Sequence, residues 1–417
     1  MNELAAACLL PSFPGSVPPD WAKRFVAAGG RGFVLFSYNL ESLPELVAAL
    51  RAERHDLLLA IDEEGGDVTR LGTSQPGAAA LGAVDDAAVT EAVAGSIAAE
   101  LVAAGLNWNL APVADVNVPE NPVIGTRAFG DEPELVARHV AAYVRGTQAL
   151  GVAACAKHFP GHGSTREDSH LALPELVGDV EDGLPPFRAA IDAGVRSVMT
   201  AHIKVRDVPA TIDRSILTGL LREELGFDGV IVADALEMKG LSAFAGIEDG
   251  AVRAVEAGAD ALIVGHDLHE DAVEKLGTAL LRVDGGRLGE AASRVDALAA
   301  WARPRDVARR ALLVEGDVRG ARSIVELRPV ANIAAGEAEH RLGAAQIVRE
   351  GEPVPPADVY VVRDAHRHAW MRDAADVEGS VVVELGLPVW RPSRARGYIA
   401  TYGGGRAALE AAAEVLR

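Results

Sequence analysis

Eight short apolar runs, each followed by a helical pattern, constrain this chain more than any other feature of its sequence. The runs cover residues 5–10, 32–36, 57–62, 106–111, 152–157, 197–200, 229–234 and 261–265. Brief, nearly continuous apolar runs of this kind suit strands buried on both faces. Between them, residues 87–104, 133–150, 186–193 and 216–225 space their apolar residues as helices do. These segments run into Gly105, Gly151, Gly194 and Gly226. The left-handed turn that ends a helix favours glycine there. A strand-then-helix unit repeated eight times predicts an α/β fold, a (β/α)8 TIM-type barrel. An open doubly wound sheet is the rival, and the number of strands disfavours it.

The chain has 417 residues, more than such a barrel requires. A basic, proline-containing stretch at 303–310 marks the boundary, giving a barrel at 1–305 and a small C-terminal α/β domain at 306–417. The tail carries apolar runs at 359–362 and 380–385 and a closing helical pattern at 407–416. His366 and His368 lie in it but join no catalytic constellation. Gly403-Gly404-Gly405 reads as a turn, because no Lys-Ser/Thr follows as in a phosphate loop.

Sixty acidic residues against 40 Lys and Arg leave a net charge of −20. Such a surface repels phosphate backbones and anionic membranes, which sets nucleic-acid binding aside. The two cysteines, Cys8 and Cys155, do not read as a structural disulfide, so a reducing compartment is expected. Residues 4–10 are too short for a signal sequence, and Glu3 stands where a basic residue belongs. No run of apolar residues is long enough to span a membrane. The expectation is a cytoplasmic protein with no membrane partner and an open oligomeric state.

Chemistry on such a barrel sits at the C-terminal ends of the strands. There the chain reads Asp62 after the third run, Lys157-His158 after the fifth, His202 after the sixth and Asp234 at the end of the seventh. A single aspartate in this position is often the N-cap of the next helix, and a single histidine is often a satisfied core residue. Four such ends on one rim are harder to explain structurally, because charges that follow buried runs carry a desolvation cost. The loop after the fifth run reads Gly161-His162-Gly163-Ser164-Thr165-Arg166-Glu167-Asp168-Ser169-His170. Its glycines and small polar residues predict a mobile loop. Asp168 is two residues from His170, so its carboxylate can reach the imidazole, fix its tautomer and keep it basic enough to shuttle protons. The competing use of His158, His162, Asp168, His170 and His202 is a metal site, but their spacing matches no zinc signature.

The segment from Lys157-His158-Phe159-Pro160-Gly161-His162-Gly163 through Asp168-Ser169-His170 to Leu173-Pro174 resembles the signature of glycoside hydrolase family 3. More narrowly, it resembles the β-N-acetylglucosaminidase branch involved in bacterial cell-wall recycling. Asp62 with Glu64-Gly65-Gly66 and Arg70 is similar to another family block. So are Asn109 to Val113, Asn121-Pro122 through Arg127 to Gly130, Met199 to His202, and Gly226 to Val230 leading to Asp234. These matches keep the family's order from about residue 30 to 265. Asp67 departs from it, since relatives often carry Arg there. Gly397 to Gly404 resembles the second domain of two-domain members, in shortened form.

The resemblance implies a retaining β-N-acetylhexosaminidase acting on a small carbohydrate without a cofactor or metal. Asp234 would be the nucleophile and His170 the acid/base, oriented by Asp168. Asp62, Arg127, Lys157 and His158 would hold the sugar at the −1 subsite, with Arg70 and His202 as support. Peptidoglycan- or chitin-derived fragments are the expected substrates. Phosphorolysis by an N-acetylglucosaminide phosphorylase, or a plain β-glucosidase activity, stays open at this stage.

Overall fold

The computed structural model describes residues 1–169, 171–265, 268, 270–303, 311–320, 322–329, 342–343, 346–402 and 406–416. His170, most of the basic stretch at 303–310 and the triplet Gly403-Gly404-Gly405 lie outside the described residues. The chain divides into two compact units, Met1–Pro304 and Arg305–Arg417.

Among the described residues of the first unit, eight parallel strands form one sheet. They are β1 Leu9–Pro11, β2 Gly32–Val34, β3 Leu58–Ile61, β4 Trp108–Asn109, β5 Ala153–Phe159, β6 Ser197–Thr200, β7 Val230–Ala233 and β8 Ala261–Val264. Each strand from β2 to β8 pairs with the next, and β8 pairs with β1. β1 lies beside β2, so the barrel is nearly closed. The predicted (β/α)8 barrel is the fold observed.

Alternation along the strands sorts the core into two layers. Leu10, Val34, Leu58, Ala60, Trp108, Cys155, Met199, Val232 and Ile263 pack together with Val295 and Leu298 of the helix Gly285–Trp301. Their neighbours Leu9, Phe33, Leu35, Leu59, Ile61 and Ala154 join a second cluster with the surrounding helices. Gly105, Gly151, Gly194 and Gly226 all have positive φ, as helix termini at these positions require. Cys8 and Cys155 are buried free thiols.

The first strand differs from expectation. Residues 5–10 do not form one strand, because Glu3–Ala7 is a helix. Asn2 caps it by accepting from the backbone N–H groups of Leu4 and Ala5, and its alanines favour helix. Only Leu9–Pro11 remains for β1. The helix expected at 216–225 takes π geometry over Ser215–Glu224.

In the second unit, the described strands form a six-stranded sheet. Gln346–Val348, Ile324–Leu327, Val359–Val362, Val381–Glu384 and Gly397–Ala400 lie in parallel in that spatial order. Leu313–Gly316 joins Gly397–Ala400 as an antiparallel edge. Helices Ala369–Ala375 and Arg406–Leu416 belong to the same α/β unit.

Candidate active site

The rim at the C-terminal strand ends holds a cavity of about 1110 Å³. Asp62, Arg70, Arg127, Lys157, His158 and Asp234, all singled out from sequence, line it. Phe36, Tyr38, Glu64, Met199, Glu237 and Met238 line it too.

The segment after β3 is built around two buried glutamates. Glu63 accepts hydrogen bonds from the Thr69 hydroxyl and from the backbone N–H groups of Arg70 (2.8 Å) and Leu71 (2.7 Å). It thereby fixes the turn that presents Arg70. Asn109 grips the Glu63 backbone, accepting from its N–H at 3.1 Å and donating to its carbonyl at 2.9 Å. Gly66 has φ +62°, and a Cβ there would stand 2.7 Å from the Gly77 Cα. The sharp turn therefore depends on glycine.

Glu64 anchors the cations. Its Oε1 lies 2.7 Å from Lys157 Nζ and 2.8 Å from Arg127 Nη2, and its Oε2 accepts from Arg127 Nε at 3.0 Å. Lys157 also donates to Asp62 Oδ1 at 2.7 Å. Burial alone would raise the Glu64 carboxyl, but Lys157 and Arg127 outweigh it and hold the group at about 2. Burial likewise opposes the charge on Lys157, yet Asp62 and Glu64 keep its pKa above the ordinary value. Asp67, the departure from the family pattern, accepts from Thr126 Oγ1 at 2.6 Å and so ties this segment to the turn bearing Arg127.

His158 follows Lys157 and is oriented by Asp115, a fully buried carboxylate in the loop after β4. Asp115 accepts His158 Nδ1–H at 2.8 Å and the backbone N–H groups of His158 (3.3 Å) and His162 (2.6 Å). Burial, then the charges of Arg127 and Lys157, drive the His158 pKa well below its ordinary value. The ring is neutral, with Nδ1 protonated and Nε2 left as an acceptor. Burial pushes the Asp115 carboxyl up to about 6.

Asp234 stands at the end of β7, where Oδ1 accepts the Ala235 N–H at 2.8 Å. Burial would raise its pKa, but His202, with the Ala235 N–H, prevails and holds it below the usual carboxylate value. His202 lies behind it and does not line the cavity. Fully buried, it meets Thr211 Oγ1 through Nδ1 (2.8 Å) and donates from Nε2 to the Ala235 carbonyl (3.1 Å). Asp168 lies outside the cavity lining, in the loop after β5. Its carbonyl accepts from the N–H groups of Leu171 and Ala172, both at 3.0 Å. No group of three His, Cys, Asp or Glu side chains suited to a metal stands among the described residues.

Sequence reasoning did not assign Asp115, Glu63 or Thr211, and it gave Glu64 no role. Asp115 follows no strand directly, so only the fold reveals its contact with His158. Glu64 carried a signal, since it follows an apolar run by three residues within a charged cluster.

A carboxylate held below its ordinary pKa, a neutral histidine and paired cations share the rim of a (β/α)8 barrel, where such folds carry their active sites. The chain belongs to glycosyl hydrolase family 3: the model of that family's N-terminal domain matches residues 31–298. The β-hexosaminidase of Pseudomonas aeruginosa is 39% identical over 250 residues, which cover 57% of this chain and 75% of that protein. A family 3 β-N-acetylglucosaminidase from Paenibacillus sp. superposes with a TM-score of 0.69 at 31% identity, covering 100% of this chain and 96% of the other. NagZ from Neisseria gonorrhoeae, solved with N-trifluoroacetyl-D-glucosamine, gives a TM-score of 0.64 at 30% identity over 72% of this chain and 91% of its own.

Proposed function

We propose that this protein is a retaining β-N-acetylhexosaminidase that removes terminal β-linked N-acetylglucosamine through a covalent glycosyl-enzyme. The observation that carries the reading is the state of Asp234. Its carboxylate is kept below the ordinary pKa by His202 and the Ala235 N–H, against the effect of burial, where it faces the cavity. A nucleophilic carboxylate needs that ionised state.

In this reading Asp234 attacks the anomeric carbon while His170 gives its proton to the departing glycosidic oxygen. The bond from C1 to the aglycone breaks as the bond from C1 to Asp234 forms. His170 then takes a proton from water, the water attacks C1, and the sugar leaves with its configuration retained. Asp168 orients the His170 imidazole. Asp62, Lys157, Arg127 and Arg70 hold the sugar hydroxyls, and His158 offers Nε2 as an acceptor. His202 supports Asp234 from behind. A cavity of about 1110 Å³ exceeds the roughly 300–1,000 Å³ typical of small-molecule sites, which leaves room for part of the aglycone.

We assign catalysis to residues 1–305. Peptidoglycan- or chitin-derived fragments in the cytoplasm are the proposed substrates. No helix among the described residues is long and apolar enough to cross a membrane. The relatives' names favour hydrolysis over phosphorolysis or glucoside cleavage. The test is turnover of paired aryl β-glucosaminides, with and without the N-acetyl group, in phosphate-free and phosphate buffer. Preference for the N-acetylated glycoside without need of phosphate is expected. Strict phosphate dependence, or equal turnover of a plain glucoside, would overturn the reading.

A further inference from the structure

The loop after β5 is held far more tightly than its glycines and small polar residues imply. His162, Thr165 and Ser169 are buried, at 3%, 0% and 2% exposure, whereas Arg166 and Glu167 between them are exposed. The His162 imidazole bridges the loop to itself: Nδ1 lies 2.8 Å from Thr165 Oγ1 and Nε2 lies 2.9 Å from Ser169 Oγ. Thr165 Oγ1 also lies 2.9 Å from the His162 carbonyl, which can only accept. With the single hydroxyl proton directed to that carbonyl, Nδ1 carries a hydrogen and donates to Thr165. Nε2 forms the second hydrogen bond, to the Ser169 hydroxyl, which can donate or accept.

The anchor itself is fixed to the barrel. His162 N–H donates to Asp115 at 2.6 Å, and the His162 carbonyl accepts from Asn121 Nδ2 at 2.8 Å. Gly163 packs so closely that a Cβ there would stand 2.0 Å from the Val116 carbonyl oxygen. At the far end, the Ser169 carbonyl accepts the N–H of Gly240 at 3.0 Å. Gly240 follows β7 and Asp234 by a few residues. Ser169 therefore joins two things: the barrel anchor formed by His162, and the segment that begins with the proposed nucleophile. The next residue in the chain is His170.

We propose that His162 and Ser169 are positioning residues that act through the backbone to fix the departure point of the acid/base. Neither needs to touch substrate. The inference rests on the reading of His170 as the acid/base, and the test separates the two. An aryl glycoside with a strongly activated leaving group, such as 2,4-dinitrophenol, needs no protonation to depart, whereas a 4-methoxyphenyl group does. Full general-acid assistance is worth roughly 10²–10⁴ in rate, and a loosened acid loses part of it. In Ser169→Ala, kcat/KM on the 4-methoxyphenyl N-acetyl-β-glucosaminide is expected to fall about tenfold or more. On the 2,4-dinitrophenyl substrate it is expected to change less than about threefold.

The activated substrate also reports that the variant is folded. Thr165→Val, which removes the other partner of the imidazole, should show the same selectivity to a smaller degree. An equal loss on both substrates in both variants, or no loss in either, overturns the latch. His170→Ala runs alongside. If it shows the leaving-group dependence and Ser169→Ala does not, the latch fails and the acid/base assignment stands. If His170→Ala itself shows none, the acid/base assignment fails.

Discussion

Replacing Glu64 with glutamine tests whether the charge network at the rim holds the site together. Glu64 is nearly buried and is the shared acceptor for Lys157 and Arg127, with oxygen–nitrogen distances of 2.7, 2.8 and 3.0 Å. Its pKa is displaced from 4.5 to about 2. At about 1.4 kcal/mol per pH unit, that displacement corresponds to about 3 kcal/mol of native-state stabilisation. A carboxyl whose folded pKa lies below its unfolded value contributes this stability above pH 4.5 and loses it as the pH falls towards 2. Removing one partner of a buried ion pair costs a similar ~3–5 kcal/mol, because the other charge is left uncompensated. For a unit of this size a loss of about 3–5 kcal/mol corresponds to a Tm lower by about 5–8 °C at pH 7. Urea and thermal unfolding of wild type and Glu64→Gln at pH 7, 4 and 3 measure it directly. The gap should be widest at pH 7 and should shrink at pH 3. Activity should fall as well, since Arg127 and Lys157 lose the group that aims them. A variant within about 1 kcal/mol of wild type at pH 7, or a gap independent of pH, would refute the reasoning.

Two other substitutions separate positioning from stability. Asp115→Asn should lower kcat/KM with KM affected most, because His158 loses the acceptor that fixes its tautomer. The Asp115 carboxyl is raised to about 6, so wild-type stability should decline as pH rises from about 4 through 6, and the variant should lack that decline. Asp260, fully buried just before β8, is contacted by Arg222, Arg287 (3.0 Å) and Arg294 (3.3 Å). Asp260→Asn should cost about 3–5 kcal/mol in unfolding experiments. It should leave kcat per folded molecule unchanged, because the cluster lies at the opposite end of the strands from the cavity.

Much of the barrel was legible because its punctuation is local. A glycine after four of the helices and a compact apolar run for each strand are signals carried by consecutive residues, and Gly105, Gly151, Gly194 and Gly226 adopt the backbone conformation they announce. The first strand was misread where two local preferences compete. Residues 5–10 are apolar enough for a strand, but an Asn cap and an alanine run favour helix until residue 7. Residues Asp62, Lys157, His158 and Asp234 were legible for a related reason: each closes or follows an apolar run, so the strand delivers it to the rim.

Asp115, Thr211 and the His162–Ser169 contact were not legible. Their roles depend on partners brought together by tertiary structure, such as Asp115 with His158, 43 residues away. Glu64 lies between these cases, visible as a charge beside glycines but without its cations until Arg127, 63 residues on, folds back onto it. The loop glycines carried a second meaning that consecutive residues do not show. Gly163 marks close packing against Val116, so the described part of that loop is anchored.

The most direct test is identification of the residue that carries the sugar. The enzyme would be incubated with a slowly released fluorinated aryl N-acetyl-β-glucosaminide, digested and mapped by mass spectrometry, with Asp234→Ala assayed in parallel. The glycosyl mass should appear on the peptide containing Asp234, and Asp234→Ala should lose at least about 10³-fold in turnover of the unmodified substrate. A label on another residue, or an Asp234→Ala enzyme within about tenfold of wild type, would contradict a double displacement through Asp234.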